Sequence, residues 1–202
     1  NMNANLRDFA KPSRFNCLTV LATSFNSKYI NLSANLLHTY VYNHVELGEA
    51  AKNENHFSPS AGISIMPLGK RDFTIRLLYK NIFRMPSFND LYYREVGNIK
   101  LNPEKTNQFN AGMTYENSWL GRIDLSAATD VYYNLVKDKI VAIPNRNLFV
   151  WSMINYGKVN VLGADVNLQF SCRVVKQLKI SLMGSYSFQR AFDMTDPVSK
   201  AY

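Results

Sequence analysis

The chain has 202 residues, of which 47% are hydrophobic and 13% aromatic, and it carries a net charge of +8. This composition excludes a disordered chain. The 23 Lys and Arg residues are scattered through the chain, and even the densest basic stretches, such as Lys70-Arg71, are isolated pairs. They do not form the stripe that nucleic-acid binding requires, so no nucleic-acid partner is expected. The two cysteines, Cys17 and Cys172, lack neighbouring ligands, which argues against a zinc site or a disulfide framework.

Apolar and polar residues alternate with a period of two along most of the chain, which predicts about eight strands with one apolar and one polar face. In chain order we expect them near residues 15–25, 28–43, 58–67, 71–80, 105–117, 121–136, 157–171 and 176–190. Several of these segments are much longer than the roughly 5–6 residues of an ordinary strand. The predicted fold class is all-β.

The predicted connections alternate between short and long. Short turns are expected at residues 26–28, 67–71, 117–121 and 173–177, and long segments at 43–57, 81–104 and 136–157. This order predicts an up-and-down antiparallel meander with its tight turns at one end. Outer-membrane barrels have this pattern, with short periplasmic turns and longer extracellular loops.

The two faces differ in chemistry. The polar face carries residues such as Asn110, Asp130 and Asp165, which suit a wet lumen, and the apolar face has tyrosines towards the strand ends. No window approaches the roughly 18 apolar residues of a transmembrane helix, and no signal peptide is expected. A hydropathy window does not detect transmembrane β-strands, because half of their residues are polar.

The segment from Arg84 to Glu116 contains an Arg-x-Pro-x-Phe-x-x-Leu-Tyr element, at Arg84, Pro86, Phe88, Leu91 and Tyr92, followed by a Gly-Asn pair and a Leu-x-Pro-Glu-Lys element. With these elements it resembles the C-terminal barrel half of TonB-dependent outer-membrane receptors. The matching residues are Arg84, Pro86, Phe88, Leu91, Tyr92, Gly97, Asn98, Leu101, Pro103, Glu104, Lys105 and Gly112, and Asn110 departs from the family's usual Glu. Further matches follow at Tyr133, Asp138, Ile140, Asn155, Gly157, Gly163 and Asp165.

The resemblance implies part of a transmembrane β-barrel of about 22 strands in the outer membrane of a Gram-negative bacterium. Residues 1–202 would form a partial β-barrel domain, with the plug domain and the remaining strands absent. It also implies active uptake of a scarce nutrient such as a ferric siderophore, haem or cobalamin. Energy would come from the TonB energy-coupling protein, through the absent plug region. Neither catalysis nor a cofactor is expected.

The long connections supply the candidate ligand-binding residues, because binding residues concentrate on loops held by a rigid framework. Tyr92, Tyr93 and Arg94 are adjacent in one of them, and Arg146 and Trp151 lie in another. Aromatic rings beside a cation can orient a planar or polyhydroxylated ligand. A second interpretation is that residues 136–157 form a hairpin that extends the barrel wall, with Trp151 packed against it.

Metal binding and catalysis have weaker support in the sequence. His38, His44 and His56 are not spaced as ligands of one metal. Glu46, Glu49 and Glu54 could meet a calcium ion, but their pattern favours a solvated loop. No arrangement of Ser, His and Asp or of Cys and His indicates catalysis. The alternative function is a self-contained soluble β-barrel or β-sandwich that holds a ligand within its apolar face.

Overall fold

The computed structural model describes residues 10–69, 72–94, 96–119, 122–144, 151–175 and 177–195. They form one sheet of eight antiparallel strands that follow one another in sequence order. The strands are β1 (Pro12–Asn26), β2 (Ile30–Val45), β3 (Glu54–Ile65), β4 (Phe73–Arg84), β5 (Glu104–Trp119), β6 (Ile123–Pro144), β7 (Trp151–Val175) and β8 (Leu178–Asp193), and the short helix α1 (Phe88–Tyr92) lies between β4 and β5. The predicted all-β meander is confirmed.

The tight turns lie at one end of the sheet, as predicted. β1 and β2 are joined by three residues, and the connections from β3 to β4, from β5 to β6 and from β7 to β8 are also short. The connections at the other end include residues 46–53 and 85–103. We call these two ends the short-turn end and the long-loop end.

The prediction of a long loop over residues 136–157 is wrong. β6 continues to Pro144 and β7 begins at Trp151, and the two strands stay paired as far as Pro144 and Trp151. The ladder passes Asp138, which has a φ of 55°, without changing register. The two strands therefore extend the sheet as a hairpin, which confirms that part of the second interpretation of this segment. The other two long connections are also shorter than predicted, because β3 begins at Glu54 and β4 ends at Arg84.

Cross-strand pairing separates the two faces. On the apolar face, Leu32, Ile63 and Leu77 oppose one another across β2, β3 and β4, and large apolar side chains are exposed on every strand. On the polar face, Arg76 of β4 forms an ion pair with Asp130 of β6, 3.2 Å apart. The described residues contain no pairing between β1 and β8, so the sheet is open.

The buried apolar cluster lies at the long-loop end, against the polar face. It consists of Ala51, Leu91, Leu101 and Ile140, with Tyr92 and Met153 packed against it. Ile140 and Met153 belong to the polar face by strand alternation. Among the residues that the structure describes, no helix is long and apolar enough to cross a membrane.

Candidate functional site

The connection between β4 and β5 is a folded structure that begins with a capped helix. Ser87 Oγ accepts a hydrogen bond from the Asp90 N–H (3.2 Å), and Asp90 Oδ2 accepts one from the Ser87 N–H (2.8 Å). This capping box satisfies backbone donors that a helix start would otherwise leave unpaired. After the helix the chain turns back, so that the Asn98 N–H donates to Asp90 O at 2.8 Å.

The return after α1 leaves room only for glycine at position 97. The Gly97 N–H donates to Tyr93 O at 2.7 Å. A Cβ atom on Gly97 would lie 2.7 Å from Leu91 O and from Tyr93 N, which is closer than side chains approach backbone atoms. A larger residue would therefore displace the end of α1.

The helix is held in place by apolar packing. Leu91 is 2% exposed and lies in the cluster with Ala51, Leu101 and Ile140, so it joins both long connections to β6. Tyr92 packs against this cluster, and its hydroxyl accepts a hydrogen bond from the Ala51 N–H at 2.8 Å. Burying a leucine side chain contributes about 1.5–3 kcal/mol, so Leu91 is a principal anchor of the loop.

Glu104, at the start of β5, is a buried carboxylate with partners from two other strands. Its oxygens lie 3.0 Å from Arg84 Nη1 and 3.2 Å from Lys139 Nζ, and Oε1 accepts a hydrogen bond from the Ile140 N–H at 2.8 Å. Arg84 also lies 3.6 Å from Asp90 in α1. Because buried charges are stable only when paired and hydrogen-bonded, Glu104 fixes β4, β6 and, through Arg84, α1 relative to one another.

Asn155 of β7 also binds this loop through its side-chain amide. Its Oδ1 accepts from the Asn102 N–H (2.8 Å), and its Nδ2 donates to Asn102 O (2.9 Å) and to Asp138 O (2.8 Å). Asp138 has a left-handed backbone, which Asp adopts more readily than most residues. Asn98 Nδ2 also donates to Met153 O (3.1 Å). The β6–β7 hairpin is therefore bound directly to the loop.

Replacement of Asn155 by alanine is expected to loosen this attachment by about 1–2 kcal/mol, because three hydrogen bonds are lost. In the intact protein, backbone amides of residues 96–102 should then exchange with deuterium about 5- to 30-fold faster. The control is Asn35→Ala, which removes a single exposed contact of 3.5 Å to Ser60. Equal exchange in both variants would contradict the role of Asn155.

The structure assigns different environments to the predicted site residues. Tyr92 is partly buried in the anchor of the loop, whereas Tyr93 and Arg94 are exposed directly after α1. Trp151 is the first residue of β7 and remains 47% exposed. By alternation it shares a face with Met153, which packs against the loop cluster. Arg146 lies outside the described residues.

The sequence prediction missed the residues that hold this arrangement together. Glu104, Asp138 and Asn155 all belong to the motifs that carry the resemblance, but the sequence alone assigned them no role. The indication that the sequence offered for these three residues was that each occurs in a different motif of the family resemblance. The structure shows that these motifs meet at one place, so their residues position the loop.

The three histidines and the loop acids have ordinary environments where contacts are described. His38 lies 2.7 Å from Asn55 Oδ1 and stacks on Phe57, and His56 lies 3.0 Å from Asn81 Oδ1. Glu46 is 2.7 Å from Lys11. In the described part of the chain, no three His, Cys, Asp or Glu side chains are grouped as metal ligands.

Comparison with known families identifies the class of protein. A family model described as "TonB dependent receptor-like, beta-barrel" matches residues 25–201. This match covers most of the chain and agrees with the long-stranded antiparallel meander. The chain belongs to the TonB-dependent receptor β-barrel family.

Several solved structures share this fold. The FrpB iron transporter from Neisseria meningitidis (F3-3 variant) is 17% identical, with a TM-score of 0.65, over 91% of this chain and 27% of that one. The copper transporter OprC is 14% identical, with a TM-score of 0.70, over 89% and 30%. The siderophore receptor PirA from Pseudomonas aeruginosa is 18% identical, with a TM-score of 0.55, over 88% and 40%.

The chain therefore spans between about a quarter and two fifths of the length of these structures. No curated protein matches the sequence. At these identities, the structural likeness establishes the fold, and the family match establishes membership.

Proposed function

We propose that this chain is part of the barrel of an outer-membrane receptor that takes up a scarce small nutrient with energy supplied through TonB. The observation that carries the proposal is the exposed apolar face, which extends over all eight strands of a sheet whose other face is mainly polar. Lipid is the surrounding that such a face requires. Family membership supports the same conclusion.

The soluble alternative has less support. A soluble barrel or sandwich would have to cover its apolar face, but large side chains of that face such as Leu168 and Leu182 are 53% and 71% exposed. The described elements leave this face bare, while the loop and α1 pack against the polar face. A bare apolar face of this extent would cause aggregation in water.

The proposed orientation places the short-turn end in the periplasm and the long-loop end outside the cell. Iron, copper and siderophore appear in the descriptions of the similar structures. We extend this to the present chain as a cargo class: a scarce metal, free or held in a chelate, haem or a corrinoid. The polar face would line the lumen through which the cargo passes.

Within this orientation, Tyr93 and Arg94 are the proposed cargo-contacting residues of the β4–β5 loop, with Trp151 and Arg146 contributing from the β6–β7 hairpin. Tyr93 is 62% exposed and adjacent to the exposed Arg94. The anchored helix beside them would hold them in place before cargo arrives, which reduces the ordering cost of binding. Tyr92 would act by positioning this pair, since its ring and hydroxyl are used in packing.

Replacing Tyr93 and Arg94 together by alanine is expected to weaken cargo binding about 5- to 30-fold, from roughly 1–2 kcal/mol of lost stacking and cation contact. The full-length receptor would first be screened against ferric siderophores, copper, haem and corrinoids by isothermal titration calorimetry. The variant is then compared on the cargo that binds. A matched control is Lys28→Ala with Tyr29→Ala, a cation–aromatic pair at the short-turn end, 5.3 Å apart.

The control pair should leave the affinity unchanged. Uptake of the same cargo by whole cells should disappear when TonB is deleted. Uptake that persists without TonB would contradict the proposed transport, and equal affinities in the two double variants would contradict the assignment of the loop residues.

A further inference from the structure

The apolar face changes character in regular steps towards the long-loop end. Residues directly opposite one another in β4, β5, β6 and β7 form successive rows. In order, the rows are Leu77, Ala111, Val131 and Ala164; then Tyr79, Phe109, Tyr133 and Leu162; then Asn81, Asn107, Leu135 and Asn160; and finally Phe83, Lys105, Lys137 and Lys158. The face therefore passes from aliphatic to aromatic to amide to basic.

The last row places three lysines side by side. Lys105 opposes Lys137, and Lys137 opposes Lys158. Their Cα atoms are therefore separated by about 4.5–5.5 Å from strand to strand. All three are exposed. Among the described residues, none of them forms an ion pair with an acid. Like charges directly opposite one another destabilise a sheet, so this row is favourable only where an anion meets it.

The two rows below the lysines suit the boundary between hydrocarbon and water. Asn81 Nδ2 donates to Asn107 Oδ1 (2.8 Å), and Asn160 Nδ2 donates to the Tyr133 hydroxyl (2.8 Å). The Tyr79 and Phe109 rings lie 5.1 Å apart. Aromatic residues of this kind gather at the level of lipid headgroups. The lysine row lies four residues beyond the aromatic row, which is about 13 Å along a strand. Because the strands of such barrels are tilted, the distance between the two rows along the membrane normal is shorter.

An apolar groove continues from the aromatic row towards the middle of the face. Its volume is about 870 Å³, and the alanines at positions 34, 61 and 111 line it among larger apolar side chains. Tyr79, Phe109 and Tyr133 also line the groove, so it opens directly below the amide and lysine rows. An acyl chain is the molecule whose shape and polarity fit such a depression on a lipid-facing surface.

We propose that this surface binds a phosphorylated lipid of the outer leaflet. The lipid phosphates would be held by Lys105, Lys137 and Lys158, and one acyl chain would occupy the groove. Three ammonium groups in a row complement phosphate charge, and each lysine near a membrane surface strengthens attraction to anionic lipid. The inference rests on the proposed function, because it requires the apolar face to contact lipid.

The test is a titration of the detergent-purified full-length receptor with diphosphorylated lipid A, followed by native mass spectrometry. Neutralising the row with Lys105→Gln, Lys137→Gln and Lys158→Gln is expected to raise the apparent Kd at least about tenfold. The single variant Lys137→Gln, at the centre of the row, should raise it about 3- to 5-fold. The matched control neutralises Lys28, Lys52 and Lys100, which removes the same charge elsewhere and should change the Kd less than about twofold.

Equal Kd values for the row variant and the control variant would overturn the inference. Displacement of the lipid by millimolar inorganic phosphate would also overturn it, because it would show a site for free phosphate. A shift in gel mobility between unheated and heated samples reports whether each variant has folded. If the triple variant misfolds, the single variant Lys137→Gln still tests the inference. A receptor that inserts into membranes and binds cargo, but retains lipid independently of the lysines, would contradict this inference and leave the proposed function standing.

Discussion

Leu91→Ala is expected to detach the β4–β5 loop from the sheet. Leu91 is 2% exposed and its neighbours come from two long connections and from β6. Truncating a buried leucine costs about 2–5 kcal/mol through lost burial and the cavity left behind. In the full-length receptor, amides of residues 91–94 and 96–101 should exchange at least about 30-fold faster, while those of β4 and β5 stay protected.

The loss of order should also weaken cargo binding, because Tyr93 and Arg94 follow Leu91 in the same loop. Leu47→Ala is the matched control, since Leu47 lies in the neighbouring connection at the same end but is 51% exposed. It should change neither the exchange nor the affinity. Unchanged loop exchange in Leu91→Ala would show that the polar contacts alone hold the loop.

The second large effect is expected from Glu104→Ala. The substitution leaves the buried Ile140 N–H without its acceptor and removes the carboxylate that pairs with Arg84 and Lys139. We expect a loss of about 1–3 kcal/mol. The loss is moderate for a buried ion pair because both cations are 40–49% exposed and can be solvated. Faster exchange at the Ile140 amide and a lower unfolding temperature of the receptor would report it.

Two further variants separate the contribution of the Glu104 charge to stability from that of its hydrogen bond. Glu104→Gln keeps an oxygen that accepts from Ile140, so it should recover part of the loss. Glu46→Gln removes an ion pair in which both side chains are 58–59% exposed, and such pairs contribute about 0–1 kcal/mol. If Glu104→Ala proves no more costly than Glu46→Gln, Glu104 does not fix the strands as described.

The sequence predicted the strands well because their signal is local. Alternation over residues 105–117 and 157–171 identified β5 and β7 without any tertiary information, and the tight turns set the meander. The prediction failed at the long-loop end. The long connection predicted over residues 136–157 is absent there because cross-strand pairing of β6 with β7 continues past the left-handed Asp138 as far as Pro144 and Trp151.

The candidate site was only partly predictable for a different reason. Tyr93 and Arg94 could be chosen as an exposed aromatic and cation in a long connection. The assembly of Glu104, Asp138 and Asn155 depends on contacts 17 to 53 residues apart in sequence, and no local pattern encodes it. The motif residues around α1 are anchors, and the exposed residues beside them are the better candidates for cargo contact.

The central claim, that the long-loop end faces outward and the short-turn end faces the periplasm, is tested most directly by labelling on intact cells. Arg94→Cys or Lys28→Cys would be introduced separately into a cysteine-free full-length receptor. The label is a maleimide attached to a polymer too large for porins. Arg94→Cys should be labelled on intact cells, and Lys28→Cys only after the outer membrane is permeabilised. Labelling of Lys28→Cys on intact cells with Arg94→Cys protected, or equal labelling of both, would contradict the account.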